Sequence, residues 1–146
     1  MAALNATRGA QWPLVGEFTF SIGDTMKNTS GAADAFATFA ASHTFDVINL
    51  PQNAVVIGGD IVTETAIGGS TAYNVTVGDS ASANRYLSST DKKAAGRTAL
   101  VPTGYVGLGE NIRLTVTPTV ADATSGKITL RVLYTIRDKT NEMVPN

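Results

Sequence analysis

The sequence predicts an all-β fold, an antiparallel β-sandwich or jelly roll of about eight short strands with an irregular N-terminal arm. Three observations carry that prediction. Several runs alternate apolar and polar residues with period two, most clearly GKITLRVLYTIRD at 126–138, where Ile128, Leu130, Val132, Tyr134 and Ile136 share one parity and Thr129, Arg131, Thr135 and Arg137 the other. Turn signals rich in Gly, Asn, Asp and Ser separate these runs at about 8–15 residues, the spacing of sandwiches and barrels. No segment is long enough and suitably patterned to form the crossover helix of a parallel sheet.

The elements follow in order. Residues 1–15 are irregular and polar, with one conspicuous dipeptide, Trp12-Pro13. GEFTFSI (16–22) alternates Phe18, Phe20 and Ile22 against Glu17, Thr19 and Ser21, and is the first strand. GDTMKNTSGAADAF (23–36) has the composition of a loop. Gly31 to Ala41 lacks an N-cap followed by a 3.6-residue apolar stripe, so no helix is assigned there. SHTFDVINLP alternates again and stops at Pro51, with Thr44, Asp46 and Ile48 opposing Phe45 and Val47. NAVVIGGDIVTETAI (53–67) is a strand pair or one strand bent at Gly58-Gly59, since glycine inside a strand marks a bulge or bend.

After the Gly68-Gly69-Ser70 turn, TAYNVTVGDS is a strand ended by its own last three residues. NRYLSS is a short strand, DKKAAGR a loop, and TALVPTGYVGLGEN a series of short strands broken by Pro102, Gly104, Gly107 and Gly109. NIRLTVTPTV places Ile112, Leu114 and Val116 inward, and Pro118, which cannot donate to a ladder, puts its end at a sheet edge or beyond. ADATSG is then predicted to turn the chain into a hairpin with 126–138. The division is an N-terminal arm at 1–15, a sandwich domain at 16–138 and a polar C-terminal tail at 139–146.

Composition narrows the function. The chain has 146 residues, one domain's worth, and a chain of about 150 residues buries roughly 68–70% of its unfolded surface, enough for a core without staples. Charged residues make up 16%, low against about 25% in typical domains. Small neutral polar side chains fill the difference and suit extended β contacts. The net charge of −1 and the modest Lys92, Lys93, Arg97 cluster do not build a phosphate-binding face, so no nucleic-acid partner is expected. There is no cysteine, which removes disulfides, thiolate chemistry and Cys-based zinc sites. No apolar run reaches the ~18 residues of a membrane helix, and the N-terminus shows no apolar signal core. Three sequons, at Asn5, Asn28 and Asn74, are therefore read as chance matches.

Chemistry is equally sparse. A Ser-His-Asp triad would have to use His43, the sole histidine, in a strand context typical of a surface or interface residue. The same scarcity disfavours a His-based metal site. Asp60 and Glu64 share a strand parity but lie about 13 Å apart by strand rise, and read as solvated acids rather than a glycosidase pair. Asp79, Asp91 and Asp122 sit in loops without EF-hand spacing. GYVGLGEN is not GxGxxG and precedes a strand, so no helix N-terminus cradles a phosphate. Tyr73, Tyr86, Tyr105 and Tyr134 have no sugar-stacking pattern. No catalytic, metal or cofactor-binding residue is assigned; no cofactor is expected, and the chain is expected not to be an enzyme.

One long segment adds a resemblance. Residues 50–98 carry Leu50-Pro51, Val55-Val56-Ile57, Thr65-Ala66, Gly68-Gly69-Ser70, Val75, Val77-Gly78-Asp79, Arg85-Tyr86-Leu87 and Ala94-Ala95-Gly96. This layout, about a third of the chain, resembles one recurrent in small β-sandwich structural proteins of tailed bacteriophages, of the capsid decoration or cement type. The departure is Ile67 where the layout tends to have Phe, an apolar-for-apolar change. The resemblance implies a virion structural protein on the outer capsid surface, made in the host cytoplasm, with the major capsid protein as partner. It further implies a homo-oligomer, dimer or trimer, with no nucleic-acid or membrane partner. A tail, baseplate or fibre component and a carbohydrate-binding module are the alternatives. Trp12, Pro13 and Leu14 are the candidate interface with the shell or a sister subunit, tryptophan being enriched at interface centres.

Overall fold

A computed structural model describes residues 12–39 and 42–138. Ten strands run in chain order: β1 (Leu14–Ser21), β2 (Thr25–Lys27), β3 (Ala33–Ala35), β4 (His43–Ile48), β5 (Ala54–Gly68), β6 (Ala72–Gly78), β7 (Leu87–Asp91), β8 (Gly96–Ala99), β9 (Ile112–Thr119) and β10 (Ser125–Ile136). Eight of them form two four-stranded sheets, ordered β1-β10-β5-β8 and β4-β9-β6-β7; β2 and β3 pair as a separate ribbon. No helix occurs among the described residues.

The sheet orders reduce to one simple path. β6 and β7 are an antiparallel pair at the middle of the chain, and β5–β8, β4–β9 and β1–β10 are antiparallel pairs at increasing separation. The eight strands are thus one long hairpin, with arms β1-β4-β5-β6 and β7-β8-β9-β10, rolled so that successive pairs fall in alternate sheets. That is the jelly roll, one of the two architectures predicted.

The core lies between the sheets. Ile128, Leu130 and Val132 of β10 face Phe20 of β1 and Ile61 of β5 on one side, and Phe45, Val75, Val77, Leu114 and Val116 on the other; all are buried. Phe18, Phe20, Phe36 and Phe45 form an aromatic row, with the Phe20 and Phe36 ring centroids 4.2 Å apart and those of Phe36 and Phe45 4.4 Å apart. Tyr73 is wholly buried, and its hydroxyl donates to the Phe36 carbonyl at 2.8 Å, as a buried phenol requires.

Local irregularities follow the sequence. 53–67 is one bent strand, but its bulge falls at Ile57, the residue before the predicted Gly58-Gly59, with another register shift at Glu64; Gly59 has φ +134. A Cβ there would meet the Arg131 carbonyl oxygen at 2.2 Å, so neither the backbone nor the space admits a side chain. In β4 the register shifts between Asp46 and Ile48, which lets Phe45 and Ile48 both face the core although their parities differ.

Four predictions need correction. The hairpin of 111–120 with 126–138 does not form: β9 pairs with β4 and β6, β10 with β1 and β5, and 120–124 carries the chain from one sheet to the other. Both strands bury one face, and that pattern fits strands stacked across a core as well as strands side by side. Pro118 is not at a sheet margin but buried in inner strand β9 opposite Tyr73; the β4 ladder ends at Val116, so no described strand requires its missing N–H on that side. The loop at 23–36 holds the β2–β3 ribbon, closed by Asn28, whose side-chain oxygen accepts from the Ser30 and Ala32 amides. Past β8, residues 100–111 form no further strand, only a bridge from Val106 to Val55.

Candidate interaction surface

The described carboxylates and the histidine that the sequence offered for chemistry are committed to structure. His43 opens β4 with its ring turned inward; Nδ1 lies 3.1 Å from Asp34 Oδ2, and Nε2 is buried without a hydrogen-bond partner. Asp34 also accepts from Asn28 Nδ2 at 2.5 Å, and the His43 bond, then the Asn28 bond, hold its carboxyl below the ordinary range. This ties the ribbon to β4. The free imidazole nitrogen faces the interior and no nucleophile.

Asp60 and Glu64 are likewise occupied. Asp60 receives Arg97 Nε at 2.6 Å and Arg131 Nε at 3.0 Å across three strands. Burial pulls its pKa up, but the hydrogen bonds from Arg97 and Arg131 outweigh this and leave it lowered. Glu64 accepts from Thr129 at 2.6 Å and pairs with Lys127 at 3.0 Å, and these two, in that order, lower it as well. A glycosidase general acid needs the opposite shift.

The loop carboxylates cap backbone. Asp79 accepts from the Ala81 and Ser82 amides and from Arg85, Asp91 from the Tyr73 and Lys93 amides, and Asp122 from the Phe39 amide. Among the described residues no group of three or more His, Asp or Glu is placed to hold a metal ion. Three of the tyrosines offer no free platform: Tyr73 and Tyr86 are buried, burial pushing the Tyr86 hydroxyl up to about 12, and Tyr105 lies under Arg85 with Cζ 3.6 Å from its ring centre. Lys92 is not a solvated loop charge. It is 4% exposed, and its Nζ donates to Thr98 Oγ1 at 3.0 Å and to the Gly96 carbonyl at 3.2 Å. Burial lowers its pKa.

What remains open is surface. Trp12 is 77% exposed, Leu14 39% and Val15 59%; Pro13 is exposed too. The three candidate interface residues thus stand together where the chain enters β1, and Trp12 does not pack over its own sandwich. Leu14 pairs with Tyr134 and Tyr134 with Val56, so this is the end of the sheet where β10 finishes and β5 starts. Exposed Ile57 lies there, and exposed Leu108 is in a loop fastened to the same end by the Gly107 amide on the Ala54 carbonyl. The other end carries exposed Phe39 and Val120. The sequence singled out Trp12 but gave no sign of Ile57 or Leu108; for Val15 a clue was legible in the two adjacent apolar residues Leu14-Val15, which cannot both face a core from one strand.

β1 is an edge strand with eight residues and one neighbour, β10. Between it and the ribbon runs an open groove of about 460 Å³, lined by Phe18, Phe20, Asp24, Thr25, Met26 and Phe36 among others.

The fold has known counterparts. No protein-family model matches the chain, and no curated protein sequence does. Solved structures do match. A chain of the cyanophage Pam1 capsid asymmetric unit superposes with a TM-score of 0.60 at 19% identity, over 93% of this chain and 92% of that one. The fold is shared with phage capsids. A chain of the Ralstonia phage GP4 capsid gives a TM-score of 0.54 at 16% identity, covering 92% and 91%. One from the acid-stable capsid of Helicobacter pylori bacteriophage KHP30 gives 0.53 at 18%, covering 86% and 88%.

Proposed function

We propose that this chain is a non-enzymatic virion structural protein of a tailed phage, a decoration or cement protein. It binds the outer surface of the capsid and stabilises the shell by bridging neighbouring major capsid subunits. The observation that carries this reading is the likeness, over nearly the whole length, to chains of three different phage capsids. The surface agrees with it. Many of its ionisable groups are spent on holding the sandwich together, and exposed Trp12, Leu14, Val15, Ile57 and Leu108 gather at one end, as an adhesive part needs. Modest contacts repeated over a lattice then act together, so each subunit need bind only moderately.

In this reading Trp12, Pro13 and Leu14 touch the shell or a sister subunit. The test is binding of purified protein to capsids stripped of their accessory proteins. Trp12→Ala should weaken binding by about 2 kcal/mol, roughly thirtyfold, as for an interface anchor. The melting temperature should not move, because Trp12 makes little contact with its own fold. Wild-type protein that ignores such capsids, or is present at only a handful of copies per particle, overturns the decoration reading.

A further inference from the structure

The free edge of β1 has a built recess beside it. Phe18 and Phe36 and, from the ribbon, Met26 give the groove an apolar lining, and Asp24 supplies a carboxylate at its rim. An edge with unpaired N–H and C=O groups next to an apolar slot is the arrangement that accepts an added strand: the edge binds the backbone, the slot alternate side chains.

Residues 1–11 have the matching pattern. In an extended segment Ala2, Leu4, Ala6, Arg8 and Ala10 share one face, and Ala3, Asn5, Thr7, Gly9 and Gln11 the other. The first face offers one large apolar group and one cation, about 13 Å apart by strand rise. These are the two chemistries that the groove presents, with Asp24 opposing Arg8 and the aromatic wall opposing Leu4. Fully extended, eleven residues span about 36–40 Å, ample for a strand the length of β1.

A tight return of the same chain onto its own β1 edge is disfavoured. A two-residue return turn needs positive φ; Pro13 cannot adopt it, and neither Trp12 nor Pro13 does. The residue before proline is also held extended, which disfavours a tight return at Trp12. A turn at Gly9-Ala10 would pair residue 8 with 11 and hence residue 4 with Val15, short of Phe18. A neighbouring molecule has no such constraint.

We propose that the β1 edge and its groove receive residues 1–11 of a second copy of this chain as an added strand. Reciprocal exchange closes a dimer, and head-to-tail exchange around a ring closes a trimer.

The natural chain lacks cysteine, so an engineered pair reports without background. Leu4→Cys and Thr25→Cys proteins, mixed and oxidised, should give a two-chain disulfide product. The double variant, diluted, should give no internal one. Deleting residues 1–11 should turn the sedimenting oligomer into monomer with the melting transition retained. Arg8→Asp should weaken self-association about tenfold, and adding Asp24→Arg should restore it. An internal disulfide at high dilution, no disulfide in either experiment, or an unchanged sedimentation coefficient after the deletion each overturns the proposal. The assays contain no capsid, so their failure is separate from failure of the shell-binding reading.

Discussion

β1 and β4 lie one above the other on the same side of the sandwich, close enough that a Cβ on Gly16 would meet Ile48 Cγ2 at 2.6 Å. Each is the end strand of its sheet. Their hydroxyl ladders even match: Thr19 pairs with Thr129 and Thr44 with Thr115, each at 2.9 Å. Yet β4 is covered. The Thr29 amide donates to the Thr44 carbonyl at 2.9 Å, and the Asn28–Asp34–His43 chain fixes the ribbon to it. β1 has no such cover among the described residues. An edge that a fold leaves bare beside one it has closed is available for assembly.

The largest way to break this contrast is Phe36→Ala. Phe36 anchors the ribbon in the aromatic row, so the loss should be about 3–4 kcal/mol, read from the urea midpoint. The β4 edge should become bare as well, and the variant should aggregate. Gly16→Ala works at the seam between the two edges. Ile48 must yield, at a cost of about 1–2 kcal/mol in denaturant unfolding.

Acid should separate the edges without mutation. Asp34 is held below its ordinary value of 3.8 by His43 and Asn28. A depressed carboxyl contributes fully above the unfolded pKa, and its contribution disappears as pH falls through the folded one. Below about pH 4 the Thr29 amide should therefore lose protection from hydrogen exchange, while amides at the β1–β10 pairing keep theirs. In Asp34→Asn this pH dependence should vanish. The smallest effect is expected where the edges agree. Thr19→Val and Thr44→Val should each cost about 0.5–1 kcal/mol, similar within error, by thermal unfolding. A large difference between them would show that the two ladders are not equivalent.

In the regular strands alternation was enough to read which residues face inward; in β4 it was not, since the bulge turns Ile48 inward along with Phe45. Ile128, Leu130 and Val132 are all fully buried, as are Ile112, Leu114 and Val116. Which strand lies beside which was not legible, because period two records burial of a face and not the identity of a neighbour; the failed hairpin of β9 with β10 shows this directly. The ribbon was missed because β2 and β3, at three residues each, are shorter than any usable period. Inward His43 and buried Lys92 were missed for a related reason. Their partners, Asp34 on the ribbon and Thr98 on β8, become neighbours only after the chain has rolled up. The exposure of Trp12 was open in the sequence, and the groove beside β1 joins residues from β1, β2 and the turn after β3 and could not be inferred from any one of them.

The pairing of β1 with β10, from Leu14 opposite Tyr134 to Ser21 opposite Lys127, has a consequence for biogenesis. β1 finds its place in this sheet only when the residues of β10, Ser125–Ile136, have emerged from the ribosome. Such distant pairings slow folding, and a ribosome stalled before residue 125 holds a β1 with no strand to receive it.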